Sequence, residues 1–301
     1  MQLTWTPSAS ASALHAAESI YLHESKLTDR RVADSVSMVS YAANLGKWID
    51  ESAPFDTSRF WSVLIGQASI IDSNMELAKS VVRKTALRLT EPTAVLQLSG
   101  LVSDIEAAYN ELFPKFVEQV PLRARPLQEH WLGYGTGLLA HLGRLTQKSL
   151  IADEARVILL QPVLGGGGVA HIDQNLVRIE AVLTNPMVEL PEVVRLAWLL
   201  SQLNLDLPMH TDFTGANLIG RLAPLAMLPP ILAAAEVMEL SKCHESVAEL
   251  AIENWLIPVP KDQDVHTTVV PLMMDWWETY LQTRPAWNTA MQAFAKMLGI
   301  Q

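Results

Sequence analysis

The chain is short of three things: cysteine, charge and long apolar runs. Cys243 is the sole cysteine among 301 residues, so no disulfide can close within the chain and nothing points to an oxidising compartment. Its place in a helical pattern suits a small, at least half-buried side chain better than a reactive thiol. Charged residues make up 18%, with 22 basic against 32 acidic and a net charge of −10. An acidic surface with few cations disfavours nucleic acid and anionic membrane as partners. The opening MQLTWTPSASASALHAAES lacks the basic start and continuous apolar segment of a secretory signal. No continuous run reaches the roughly 20 apolar residues that cross a bilayer. These features lead us to expect a cytoplasmic protein with no nucleic-acid and no membrane partner.

What is present is apolar. Half of the residues are hydrophobic, enough at this length for one large or two modest cores. The most informative stretch is residues 155–204. Val157 to Val163 is a short apolar run, β-branched at its start and closed by Pro162 and four glycines, Gly165 to Gly168, which predicts a strand. Next, Val177, Ile179, Ala181 and Leu183 share one face at period two, with Arg178 and Glu180 on the other. That alternation describes a half-buried strand with an exposed polar face. A helix from Asp173 to Asn185 competes, since Asp173 could cap it and Asn185-Pro186 could end it; the alternation favours the strand. Leu190-Pro191-Glu192 then opens a helix that is apolar on most of its circumference, as befits one enclosed by other elements.

Both flanks read as helical. Residues 9–27 have helical spacing after a Ser/Ala-rich lead expected to be mobile, and His15, Ser19, His23 and Lys26 read as a solvated stripe. Asp29 can cap a helix to about Ile49, and Asp56 or Thr57 can start a helical stretch reaching Leu89. Arg83, Lys84 and Arg88 have no interleaved aromatics and read as a solvated face. Glu91-Pro92 opens a further helix. Between Pro121 and Pro126 a short basic stretch without apolar periodicity reads as a linker. Gly133, Gly135 and Gly137 lack the strand-to-helix context of a nucleotide fingerprint and read as packing or turn glycines. Glu245, Glu249 and Glu253, four residues apart, form an acidic stripe. Trp276, Trp277, Tyr280, Trp287 and Phe294 suit a packed core, although such aromatics also serve interfaces.

The expected fold is α+β and predominantly α-helical: a helical region 1–125 and a region 126–301 holding a small two- or three-stranded sheet around residues 156–183. The two regions can equally form one continuous compact domain. Within the central unit, strand, strand and helix follow in order with an acidic residue on the second strand, and Val194-Arg195-Leu196-Ala197-Trp198 resembles, in its apolar surround, the His-Glu-x-x-His stretch of the zinc metalloproteases called zincins. The resemblance covers only about residues 155–204. It implies a zincin-like scaffold whose functional positions fall on Val194, Arg195 and Trp198. Valine and tryptophan cannot ligate zinc and a guanidinium cannot act as a carboxylate base, so it implies no zincin catalysis and supplies no site residues.

Two other constellations could carry chemistry. His171-Ile172-Asp173 and His210-Thr211-Asp212 are candidate ligands for zinc or another divalent metal if folding joins them, with Glu180 as a base beside them. The four glycines could cradle a phosphate, but no Lys-Ser/Thr pair follows them, and a flexible hairpin connection is the simpler reading. No complete catalytic set emerges. Helical surface and candidate exposed tryptophans therefore favour a non-catalytic cytoplasmic scaffold or interaction protein with a protein partner and no cofactor; the alternative is a metal-dependent hydrolase using the two His-x-Asp loops.

Overall fold

A computed structural model describes residues 1–53, 57–85, 87, 91–210, 216–260 and 263–300. It begins with β1 (Gln2–Pro7), followed by α1 (Ala9–His23), α2 (Arg30–Ala33), α3 (Val36–Ser52), α4 (Thr57–Ala68), α5 (Asn74–Lys84), α6 (Glu91–Leu112), α7 (Phe116–His130) and α8 (Thr136–Leu145). Next come β2 (Glu154–Leu160), β3 (Gly168–His171), β4 (Leu176–Glu180) and α9 (Glu192–Leu200). The order ends with α10 (Ala216–Ala226), α11 (Leu228–Val237), α12 (Glu245–Asn254), α13 (Val270–Thr283) and α14 (Trp287–Met297). The fold is α+β and mainly helical, as the periodicity predicts.

Short polar side chains start many of these helices by satisfying first-turn N–H groups. The Ser8 hydroxyl accepts from Ala11 N, Ser35 from Met38 N and Ser73 from Glu76 N. Asp29 does cap a helix, but a single short one; the long helix to Ser52 has its own cap at Ser35. The supposed linker is different again, because Pro121 and Pro126 both lie inside α7. A proline removes one helical donor, yet Val120, Ala124 and Leu127 on this helix are buried, and that apolar stripe holds it to the body. Buried residues from both sides of the segment join one hydrophobic core. Asp56, Arg88 and Leu89 lie outside the described residues.

The sheet has four strands in the order β1-β2-β4-β3, against the two or three expected. The added strand precedes the Ser/Ala-rich lead and pairs in parallel with β2, Trp5 opposite Val157, while that lead, expected to be mobile, opens α1. β2 and β4 are also parallel, with Ile158 opposite Arg178 and Leu160 opposite Glu180. β3 runs antiparallel to β4 at the edge, Ala170 opposite Val177. The glycine loop is therefore no hairpin between neighbours; it carries the chain past β4 to the far edge. The hairpin lies at residues 172–175, where Asn175 takes the left-handed conformation.

Every residue of β4 is buried, so its polar face is not solvated. Alternation places Leu176, Arg178 and Glu180 with Val169 and His171 on the face covered by α1 and α4. Val177 and Ile179 share the opposite face with Gly168 and Ala170, against α9. Gly168 is needed there, because a Cβ would stand 2.7 Å from Leu199 Cδ1.

The C-terminal aromatics close the core. Trp276, Trp277, Tyr280, Trp287 and Phe294 are buried, with the Trp276 and Phe294 rings stacked at 4.5 Å. These tryptophans are not interface residues, which removes one reason for the interaction reading. Leu218–Val237 is long and apolar enough by composition to cross a membrane, but 78% of its most apolar window is buried within the fold. A count of continuous apolar residues misses it because Arg221 and Glu236 lie inside.

Candidate functional site

The densest polar chemistry lies inside the fold, between the sheet and α1. His15 and Glu18 are one turn apart on α1, on a helix whose Ala11, Ala13, Ala16 and Ala17 are fully buried. Small side chains let the helix backbone approach the sheet and bring His15 onto β4. The imidazole Nε2 donates to Glu180 Oε1 at 3.0 Å, and Nδ1 lies 3.8 Å from Glu18 Oε2. Glu18 in turn accepts from Arg178 Nη2 at 2.5 Å. His171, on the same sheet face, is joined through Nδ1 to Ser62 of α4 at 3.1 Å, while its Nε2 has no hydrogen-bond partner. His15 and Ser19 are thus buried, contrary to the solvated stripe expected of them.

Glu180 is the centre of this arrangement. Its Oε1 accepts from Val163 N and Leu164 N, both at 2.8 Å, and its Oε2 from Gly166 N at 2.6 Å and Gly167 N at 3.1 Å. The glycine loop does turn successive N–H groups toward an anion, as such loops can. The anion is the chain's own carboxylate. Gly165 and Gly166 have φ of 80° and 129°, conformations that suit glycine.

The ionisation of this cluster follows from its contacts. Burial works against the His15 cation, but Glu18 and Glu180 outweigh it and raise the imidazole above its ordinary value. Burial likewise works against the Glu18 carboxylate, yet Arg178 and His15 bring it down to about 2. Glu180 is lowered too: its burial is overcome by the His15 hydrogen bond and charge and by the loop N–H groups. His171 is pushed the other way, to about 3, by burial and then by the Arg178 charge.

On α9, Val194, Arg195 and Trp198 are all buried. The Arg195 guanidinium lies 3.4 Å from Glu192 Oε1, 5.6 Å from the Trp255 ring centre and directly against Gly166, where a Cβ would stand 2.8 Å from Nη1. Burial lifts Glu192 to about 6 despite Arg195, and burial lowers Arg195. The Trp198 indole donates to Pro224 O at 2.9 Å.

The candidate metal ligands fall in different settings. His171 is buried on β3, whereas Asp173 is exposed in the following 3-10 turn. His210 is buried, both ring nitrogens lack a hydrogen-bond partner, and burial lowers its pKa. Asp212 lies outside the described residues. Among the described residues no group of three or more His, Cys, Asp or Glu is placed to hold a metal ion. Glu180 is fully engaged by the loop and His15, which leaves it poorly suited to act as a base.

Two surface cavities are described, and neither reaches the buried ions. A groove of about 830 Å³ at the amino ends of β1, β2 and β4 is lined by polar groups including Lys148, Asp153, Glu154, Asn175 and Asn204. A smaller hollow of about 350 Å³ lies between Ile20, Leu27, Arg30 and Val39.

Gly135 and Gly137 bear out the packing reading: their absent side chains leave room for the Trp131 ring and the Met238 methyl, while Gly133 faces open space. The sequence did not reveal Glu18 or the role of His15; the available signal was an alanine-rich helix interrupted by two ionisable residues at i, i+3. Comparison with protein-family models, curated proteins and solved structures finds no match for the chain.

Proposed function

We propose that this protein is a non-catalytic cytoplasmic scaffold or interaction protein built on a degenerate zincin-like core. The observation that carries the reading is the state of Glu180, whose carboxylate accepts four backbone N–H groups and an imidazole. It has no remaining reach toward a water or substrate. The reading draws on the run of strands and helix, β2, β3, β4 and α9 with Glu180 on β4, and α9 offers Val194, Arg195 and Trp198 where ligands and base would be required. Elemental analysis of protein purified without chelator, paired with affinity capture, tests the reading. A saturable protein partner and no stoichiometric zinc are expected.

The second reading, a metal-dependent hydrolase, draws on one observation: His171 Nε2 and both His210 nitrogens are buried without hydrogen-bond partners, and such nitrogens are natural metal donors. One zinc per chain, lost in both His171→Ala and His210→Ala, would transfer the assignment to it. Zinc retained in both variants would place a metal site elsewhere and defeat both forms.

A further inference from the structure

The surface around the end of α11 combines exposed apolar side chains with a majority of acidic charge. Tyr134 stands one turn before Gly137, on which the Met238 methyl rests at the end of α11. Three residues beyond Met238, the Ser241 hydroxyl donates to Glu189 O at 2.6 Å, which anchors the loop carrying Val188. These contacts join the segments that carry Tyr134, Val237 and Val188, which are 39%, 57% and 87% exposed. Scattered apolar residues on a surface need no explanation, but here the segments bearing three of them are held side by side by packing and a hydrogen bond. Trp131–Gly135 forms a π-helical turn at one end, a distortion that re-aims side chains and is frequent at functional sites.

Exposed Glu189, Glu236 and Glu239 flank the path, and the carboxyl end of α11 adds the negative end of its dipole. Lys242 is the cation beside them and is 3.9 Å from Glu236. An acidic rim around apolar contacts attracts cationic partners and repels the anionic headgroups of a lipid surface.

We infer that this face docks a cationic amphipathic helix of a protein partner, its apolar side chains on Tyr134, Val188 and Val237 and its lysines or arginines against Glu189, Glu236 and Glu239. The inference rests on the interaction reading proposed above and names the kind of partner. Helix docking of this type places apolar anchors in the contact and uses charge for orientation.

The test uses the full chain and a labelled synthetic amphipathic helix with leucines on one face and lysines flanking them. Fluorescence anisotropy should show saturable, salt-sensitive binding. Affinity should fall about tenfold or more in Val188→Asp/Val237→Asp and in Glu189→Lys/Glu236→Lys/Glu239→Lys, and should hold in Val117→Asp, an equally exposed apolar site on α7. Circular dichroism of each variant checks that the fold is kept. A glutamate-flanked version of the peptide should bind only the lysine-bearing variant. Equal binding of both peptides by the native chain, or affinity unchanged in the face variants, overturns the inference. So does a native dimer that Val188→Asp/Val237→Asp converts to monomer, since a second copy would then be the occupant. None of these outcomes alters zinc content, so the face can fail while the interaction reading stands, and the metal measurement can defeat that reading on its own.

Discussion

His15 and Glu180 are 165 positions apart in the chain and meet at 3.0 Å inside the fold. The contact ties the first helix to the last residue of β4, and through that carboxylate to the loop that carries the chain from β2 to the sheet edge. Burying an ion costs several kcal/mol unless it is paired and hydrogen-bonded. Here one carboxylate answers that requirement while fixing a loop of four glycines that would otherwise be among the least ordered parts of the chain. The same saturation that stabilises the loop withholds the carboxylate from chemistry.

Replacing Glu180 by Ala should therefore be severe. Four loop N–H groups and the His15 imidazole lose their acceptor together, and removing one partner from a buried ionic network costs roughly 3–5 kcal/mol. Urea denaturation measures the loss. A change below about 1 kcal/mol would mean that the loop is held by other contacts.

The pH dependence should have two opposed parts. His171 is held at about 3 against an unfolded value of 6.5, so the unfolded chain binds the extra proton and stability is lost as pH falls through that window. Glu18, at about 2, adds to the loss from pH 4.5 downward, and the lowered Glu180 acts in the same direction. Glu192 is raised to about 6, which takes stability away as pH rises from 4.5 to 6. The raised His15 contributes below pH 6.5 and loses its contribution as pH climbs through its folded value. Urea midpoints across this range should show a shallower acid limb for His171→Asn and a shallower loss between pH 4.5 and 6 for Glu192→Gln. An unchanged profile in His171→Asn would show that its imidazole titrates normally.

Local pattern carried much of the fold into view. β2, β4 and α9 were legible because period-two and all-round apolar patterns are properties of neighbouring residues. β1 was not, since Gln2–Pro7 is short, has a proline and gains its order only by pairing with residues 152 positions away. The polar face of β4 was misread for a related reason: alternation shows that Arg178 and Glu180 differ from their neighbours, but not that α1 covers them. Pro121 and Pro126 misled because breaker chemistry was weighed above the apolar stripe around them. His15 and Glu18 could not be connected to Glu180 from spacing at all.

Trp198→Ala should cost roughly 3–5 kcal/mol. The side chain is 3% exposed, lies tilted against Trp255 at 5.1 Å between ring centres and donates to Pro224 O. Its loss would open a cavity and remove that hydrogen bond. Denaturant unfolding followed by tryptophan fluorescence gives the value, and a loss under about 1 kcal/mol would contradict its place in the core.

Arg195 and Glu192 give a sharper test, because the two ends of the pair respond differently to losing their partner. Arginine stays protonated in proteins, so Glu192→Leu strands a buried cation and should cost roughly 3–5 kcal/mol at pH 8, and less at pH 5, where the carboxyl, raised to about 6, is already largely protonated in the native chain. Glutamate can instead take up a proton. Its carboxyl already titrates near 6 with Arg195 beside it, and in Arg195→Met it should titrate higher, so this variant should be nearly as stable as the native chain at pH 5 and clearly weaker at pH 8. The double variant, Glu192→Leu with Arg195→Met, removes both ions and their unpaired atoms. Buried pairs replaced in this way are often neutral or stabilising by about 1–4 kcal/mol, and the extra apolar surface would meet Trp255 and the glycine loop. Equilibrium unfolding of the three variants at pH 5 and pH 8 separates these outcomes. If Arg195→Met loses the same stability at both pH values, Glu192 does not become protonated and its carboxyl is not held near 6 by burial.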